Sequence, residues 1–148
     1  TGGGPPFGAR CYVLGAPDAG KTLFVVAIAD HLLAKGMDVG FLAIDEEPGD
    51  VLTRFLQRRG FSRQDCEHRS QRDLAAMRAA MADVGLFLYG DELTIEAAAQ
   101  DLAARAQKRG RPAALIIDSI QTARSESEPA DASMHVAVTL RTRAIRAL

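Results

Sequence analysis

Residues 15–22 read Gly-Ala-Pro-Asp-Ala-Gly-Lys-Thr, which meets G-x-x-x-x-G-K-[ST] at all four fixed positions. That spacing suits one task, the cradling of a run of phosphates. Gly15 and Gly20 allow the backbone to curl so that successive N–H groups point at phosphate oxygens. Ala16, Pro17, Asp18 and Ala19 make the turn between them, and Leu23 follows in the first turn of a helix opening at Gly20. The positive end of that helix adds to the cradle. Lys21 has the length to reach β- and γ-phosphates, and the Thr22 hydroxyl is a ligand for Mg²⁺. Residues 15–23 are therefore the candidate nucleotide-binding set, with ATP and Mg²⁺ as the expected ligands.

Phosphoryl transfer from ATP also needs a carboxylate on the metal side and a group that orients and deprotonates water. The apolar run Ala113-Ala-Leu-Ile-Ile ends on Asp118, which suits the first role, holding Mg²⁺ directly or through water. A second apolar run, Val39–Ile44, ends on Asp45-Glu46-Glu47. A glutamate there can face the γ-phosphate across the strand ends and act as general base. Glu46 is the first choice and Glu47 the alternative. A solvated acidic turn with Pro48-Gly49 is the bland reading of the same residues.

Short apolar strands alternating with helices must position these groups. Residues 1–10 form a Gly/Pro approach segment. A first strand, Cys11–Leu14, feeds the phosphate loop and buries a free thiol. A helix over 20–35 carries Leu23, Phe24, Ala27, Ile28 and Leu32 on one side and stops at Gly36. The second strand is followed by a helix with Val51, Leu52, Phe55 and Leu56 inward. Ser70 and Asp73 have capping-box spacing before a helix lined by Leu74, Met77 and Met81. Leu86–Tyr89 is the third strand. Thr94 caps a helix to about Arg109, with Ile95, Ala98, Leu102 and Ala106 inward and Gly110 and Pro112 as stops. Ala113–Ile117 is the fourth strand. A polar loop over 119–131 precedes a last helix carrying Val136, Leu140 and Ile145. The alternation implies an α/β fold with three layers and a mainly parallel sheet. Right-handed crossovers bring all strand C-terminal ends to one edge, where ligands bind.

With 148 residues, 47% of them apolar, the chain makes one domain able to bury a core. Its net charge of −1 excludes a broadly basic nucleic-acid binder, though not a local patch. Cys11 and Cys66 lack metal-site spacing, and no secretion signal or membrane-length apolar run is present, so a reducing cytoplasm is the expected setting. The chain starts at Thr1 and ends inside a helical pattern, as a piece of a longer protein would.

The chain resembles RecA-like ATPases, including DnaB-type replicative helicases and bacterial RadA/Sms recombination proteins. Gly2-Gly-Gly-Pro-Pro-Phe-Gly8 is similar to their approach segment and Ile44-Asp-Glu-Glu47 to their strand-end motif with its catalytic glutamate. Leu86-Phe-Leu-Tyr-Gly-Asp-Glu-Leu-Thr-Ile-Glu96 looks like the DnaB strand-then-helix entry, and Ile116-Ile-Asp-Ser-Ile-Gln-Thr122 like the RadA/Sms metal-side strand. The resemblance covers essentially the whole chain. It implies a homo-oligomeric ATPase motor acting on single-stranded DNA, with sites at subunit interfaces. It also implies a further strand, carrying a sensor residue, between the two strands of the nucleotide site, and trans-acting fingers beyond the present sequence. A missing finger costs ~10³–10⁵ in rate in phosphoryl-transfer systems, so binding is expected to outlast hydrolysis here.

The loop after Asp118 and the near-neutral net charge point away from DNA. Glu126, Glu128 and Asp131 outnumber Arg124 in the loop after Asp118, which suits repulsion of phosphates. Basic residues cluster elsewhere, at Arg54, Arg58, Arg59 and Arg63, at Arg105, Lys108, Arg109 and Arg111, and at Arg141, Arg143 and Arg146, where solvated helix faces are the first reading and a nucleic-acid or subunit contact the sharper alternative. A nucleotide-dependent regulatory or assembly ATPase that does not touch DNA is therefore the alternative.

Overall fold

A computed structural model describes residues 8–68 and 71–148, with the backbone alone for His68 and residues 71–73. In chain order the elements are α1 (Lys21–Ala34), β1 (Asp38–Ala43), α2 (Pro48–Arg58), α3 (Arg63–His68), α4 (Gln71–Met81), β2 (Leu86–Tyr89), α5 (Ile95–Arg109), β3 (Ala113–Asp118) and α6 (Met134–Ala147). The strands form one parallel sheet in the order β2-β1-β3.

β1 has no polar face after Asp38, and the centre of a parallel sheet covered on both sides is where such a strand belongs. All six of its residues are buried. Val39, Phe41 and Ala43 pack with Val26, Ala29 and Leu33 of α1 and Val51 and Phe55 of α2. Phe41 and Phe55 meet edge to face, with ring centroids 6.4 Å apart. The opposite face of the sheet presents Leu42 and Tyr89 to Ile95, Ala98 and Leu102 of α5. The result is three layers, with α1 and α2 on one side and α5 on the other. α5 forms as its sequence dictates: the Thr94 hydroxyl accepts from Ala97 N at 3.2 Å, and Gly110 closes the helix in the left-handed region.

Three expectations are overturned. Residues Cys11–Leu14 form no strand, and Cys11 is exposed rather than buried. β3 pairs with β1 on one side only, and no described strand lies beyond it to offer residues 11–14 a hydrogen-bonded neighbour. On α1 the buried residues are Val26, Ala29 and Leu33, whereas Leu23, Phe24 and Ile28 are exposed. This helix is apolar nearly all round, so periodicity could not select its inner face. On α6 Ala137 and Arg141 are buried and Val136 is exposed. There the guanidinium of Arg141 is satisfied by Glu128 and by the Ile120 and Gln121 carbonyls, which makes its burial affordable. α3 was not anticipated, although Ser62 and Asp65 form a reciprocal capping box, with bonds of 2.7 and 3.1 Å. Ser70, expected to cap α4, lies outside the described residues, as does residues 1–7 of the approach segment. No helix among the described residues is long and apolar enough to cross a membrane.

The base of the sheet is fixed by charge. Asp38 is fully buried at the start of β1, and its Oδ1 accepts from Arg109 Nε at 3.1 Å, with Arg111 Nη1 3.7 Å away. Both arginines also reach Asp83, at 2.8 and 3.7 Å. The cluster ties β1 to the end of α5 and to the turn after α4. Gly85 completes it: φ is +84°, and a Cβ there would sit 2.3 Å from Asp38 Oδ1. Backbone strain and this clash together set the expected cost of Gly85→Ala at about 2–4 kcal/mol. Urea denaturation measures it, and an unchanged midpoint would contradict the packing described.

Candidate functional site

The loop that precedes α1 is exposed from Gly8 through Gly20. Asp18 (φ 59°) and Gly20 (φ 79°) both take left-handed conformations, which curl the loop. Only glycine adopts this without strain, which accounts for Gly20. Gly20 caps α1 with no side-chain bond to the helix amides, and no acidic residue occupies the first turn. The N-terminal N–H groups of α1, from Lys21 through Leu23, are therefore free of side-chain caps and aligned with the positive end of the helix dipole. Lys21 Nζ folds back over the loop, donating to Gly15 O at 3.2 Å and Ala16 O at 2.7 Å. Pro17 and Ala19 complete the turn, with Ala19 N donating to Ala16 O at 3.3 Å.

Thr22 and Asp118 lie far apart in sequence and meet at the site. Thr22 Oγ1 donates to Asp118 Oδ2 at 2.7 Å, joining the first turn of α1 to the end of β3. Two hard oxygens at this separation match neighbouring ligands on an octahedral Mg²⁺, whose bonds of about 2.0–2.1 Å place adjacent oxygens roughly 2.9 Å apart. Among the described residues no group of three or more His, Cys, Asp or Glu gathers to hold a metal. A cation bound by one carboxylate, one hydroxyl, waters and substrate phosphates needs no such cage. Thr22 and Asp118 thus fit Mg²⁺.

The acidic strand end is divided. Ile44 N donates to Asp118 O at 2.9 Å, which carries β1 past its last residue alongside β3. Asp45 Oδ1 then accepts from Thr122 Oγ1 at 2.6 Å. Glu46 turns to α2, where Arg54 Nε and Nη2 hold its two oxygens at 3.1 and 2.6 Å. Glu47 is exposed and caps α2 with its backbone, making no side-chain cap bond. The sequence drew attention to Glu46 and Glu47. It gave no weight to Asp45 or Thr122, whose proximity arises only from the pairing of β1 with β3.

The loop after β3 is anchored. Ala123 and Ser125 are buried, Ser125 Oγ donates to Glu96 Oε1 at 2.6 Å, and Glu126 N donates to Glu96 Oε2 at 3.1 Å. Arg141 Nε and Nη2 bind Glu128 at 2.8 and 2.5 Å. Glu128 is accordingly no free repelling charge. The arginine clusters are likewise engaged: Arg58 and Arg59 with Asp30, Arg63 with Glu67, Arg105 with Asp101, and Arg109 and Arg111 with Asp38 and Asp83.

A family model described as an AAA domain matches residues 5–147, nearly the whole chain. The chain belongs to that family, and its fold is a RecA-like P-loop ATPase core. No curated protein and no solved structure gives a significant match.

The Arg141 guanidinium holds the Glu128 carboxyl below the usual glutamate range. A depressed folded-state pKa stabilises above the unfolded value of about 4.3 and ceases to do so as pH falls through the folded one. Glu128→Gln is expected to cost about 1–3 kcal/mol at pH 6, and the gap to wild type should close as pH drops below about 4. Urea denaturation at both pH values measures this, and a gap independent of pH would contradict it.

Proposed function

We propose that this AAA-family chain is the nucleotide-binding core of a homo-oligomeric motor that binds ATP with Mg²⁺, hydrolyses it, and couples the cycle to single-stranded DNA. The observation that carries the first part is the 2.7 Å contact between Thr22 and Asp118, which joins the phosphate loop to the metal-side strand. Residues 15–23 cradle the phosphates through backbone N–H groups. Lys21 exchanges its two neutral carbonyl partners for phosphate oxygens, a charge-assisted contact of greater strength. Thr22 and Asp118 hold Mg²⁺, which when bound neutralises charge developing on the phosphates. A carboxylate of the strand end orients the attacking water: Glu46 or Glu47, the choices made on sequence, or their neighbour Asp45.

Coupling to DNA and assembly into a ring with shared sites rest on the likeness to helicase and recombination ATPases. One observation favours a second reading, a regulatory or assembly ATPase indifferent to DNA. Most arginines of the three basic clusters pair with carboxylates of the same domain, and the loop after β3 is tied down at Glu96 and Arg141.

Steady-state ATP hydrolysis by the full-length protein, with and without single-stranded DNA, separates the two. A motor gives several-fold stimulation that fades with added salt, whereas equal rates with and without DNA would favour the regulatory reading. In either case Lys21→Ala should weaken ATP binding at least about 10- to 100-fold, the scale of losing charge-assisted hydrogen bonds. Unchanged ATP affinity in that variant would overturn the nucleotide site.

A further inference from the structure

We propose that Asp45, rather than either neighbouring glutamate, is the carboxylate that activates water, and that Thr122 is its positioning residue. This rests on the hydrolytic reading of the site given above and names the group which that reading leaves among three candidates.

Glu46 is ill placed for the task. Both of its oxygens are taken by the Arg54 guanidinium on α2, at 3.1 and 2.6 Å, which turns the carboxylate toward that helix and leaves neither oxygen free to orient a water. Glu47 is exposed at the start of α2, and its side chain makes no cap bond to that helix. Asp45 differs from both. Its backbone N lies 3.4 Å from Asp118 O, so it stands beside the residue that binds Thr22. Its Oδ1 is fixed by Thr122 at 2.6 Å, and its side chain is open to solvent on the strand-end edge.

The hydroxyls around it form a directed chain. Thr122 has one proton, and of its acceptors Asp45 at 2.6 Å is nearer than Ser119 O at 3.3 Å. With that proton given to Asp45, the Ser119 hydroxyl, 3.2 Å away, donates to Thr122 Oγ1. Ser119 directly follows Asp118, so the metal-side strand itself aims the Asp45 carboxylate. One oxygen is engaged for orientation, and Oδ2 is left for a water.

In the step assigned here the water oxygen bonds to the γ-phosphorus while a proton passes from that water to Asp45 Oδ2. The bond between the γ-phosphorus and the β–γ bridging oxygen breaks, and its electron pair leaves on ADP. Asp45 then returns the proton to solvent. No oxidant or further reactant is required. General-base assistance of this kind contributes about 10²–10⁴ in rate.

The test is steady-state hydrolysis by the full-length protein, with ATP affinity measured separately by equilibrium titration. Asp45→Asn is expected to lower kcat at least about 100-fold with ATP affinity nearly unchanged, whereas Glu46→Gln lowers it less than tenfold. Thr122→Ala should reduce kcat by about tenfold, leave KM in place, and be rescued by Thr122→Ser, a pattern that loss of packing would not give. A large loss in Glu46→Gln or Glu47→Gln with Asp45→Asn still turning over would overturn the assignment. Failure of the wild type to hydrolyse ATP at all would instead bring down the reading on which it rests.

Discussion

The arrangement depends on one central strand. β1 is buried along its whole length and pairs in parallel with β2 on one side and β3 on the other. Burial on both faces fixes its register, because a slip by one residue would carry Phe41 and Leu42 into each other's layers. Parallel pairing then brings the ends of β1 and β3 side by side, with Ala43 opposite Asp118. From that register follow the contact of Thr22 with Asp118 and that of Asp45 with Thr122. The far end is held by the buried Asp38 between Arg109 and Arg111, so the strand is secured at its base while its other end remains available for chemistry.

Charge is distributed between two kinds of work. The pairs of Arg63 with Glu67 and Arg105 with Asp101 lie on exposed helix faces, where solvent screening leaves such pairs contributing little to the fold. A polyanion can displace those carboxylates at little cost. Arg141 and Arg109 are different, since Arg141 binds the nearly buried Glu128 and two carbonyls, and Arg109 binds the buried Asp38 and the Asp83 carbonyl. These arginines are committed to the fold. A surface for DNA on this domain must therefore draw on the first kind.

Much of this was legible in the sequence, for reasons that differ by element. α5 was readable throughout, because Thr94, Gly110 and the apolar spacing of Ile95, Ala98, Leu102 and Ala106 agree with one another. Its four inward residues are the four found buried. The loop over residues 15–22 and Asp118 stand out in the sequence because their residue types have few other uses together. α1 was not readable, since a helix apolar on every side carries no signal of which side is inner. The strand expected at Cys11–Leu14 failed because a strand is a property of a pair of segments, and among the described residues none pairs with it. Arg141 misled for a related reason: its partners Glu128, Ile120 and Gln121 are supplied by a loop whose path no local pattern reveals. The engagement of Glu46 by Arg54 was hidden likewise, because an eight-residue separation across a strand-to-helix turn has no fixed geometry.

The central claim is that Thr22 and Asp118 together form the metal side of a nucleotide site. ATP affinity of the wild type and of Asp118→Asn, each titrated with and without Mg²⁺, tests it most directly. The account predicts that Mg²⁺ strengthens binding of ATP to the wild type and that most of this gain disappears in Asp118→Asn, while metal-free affinity stays similar. An equal Mg²⁺ effect in both proteins would contradict it.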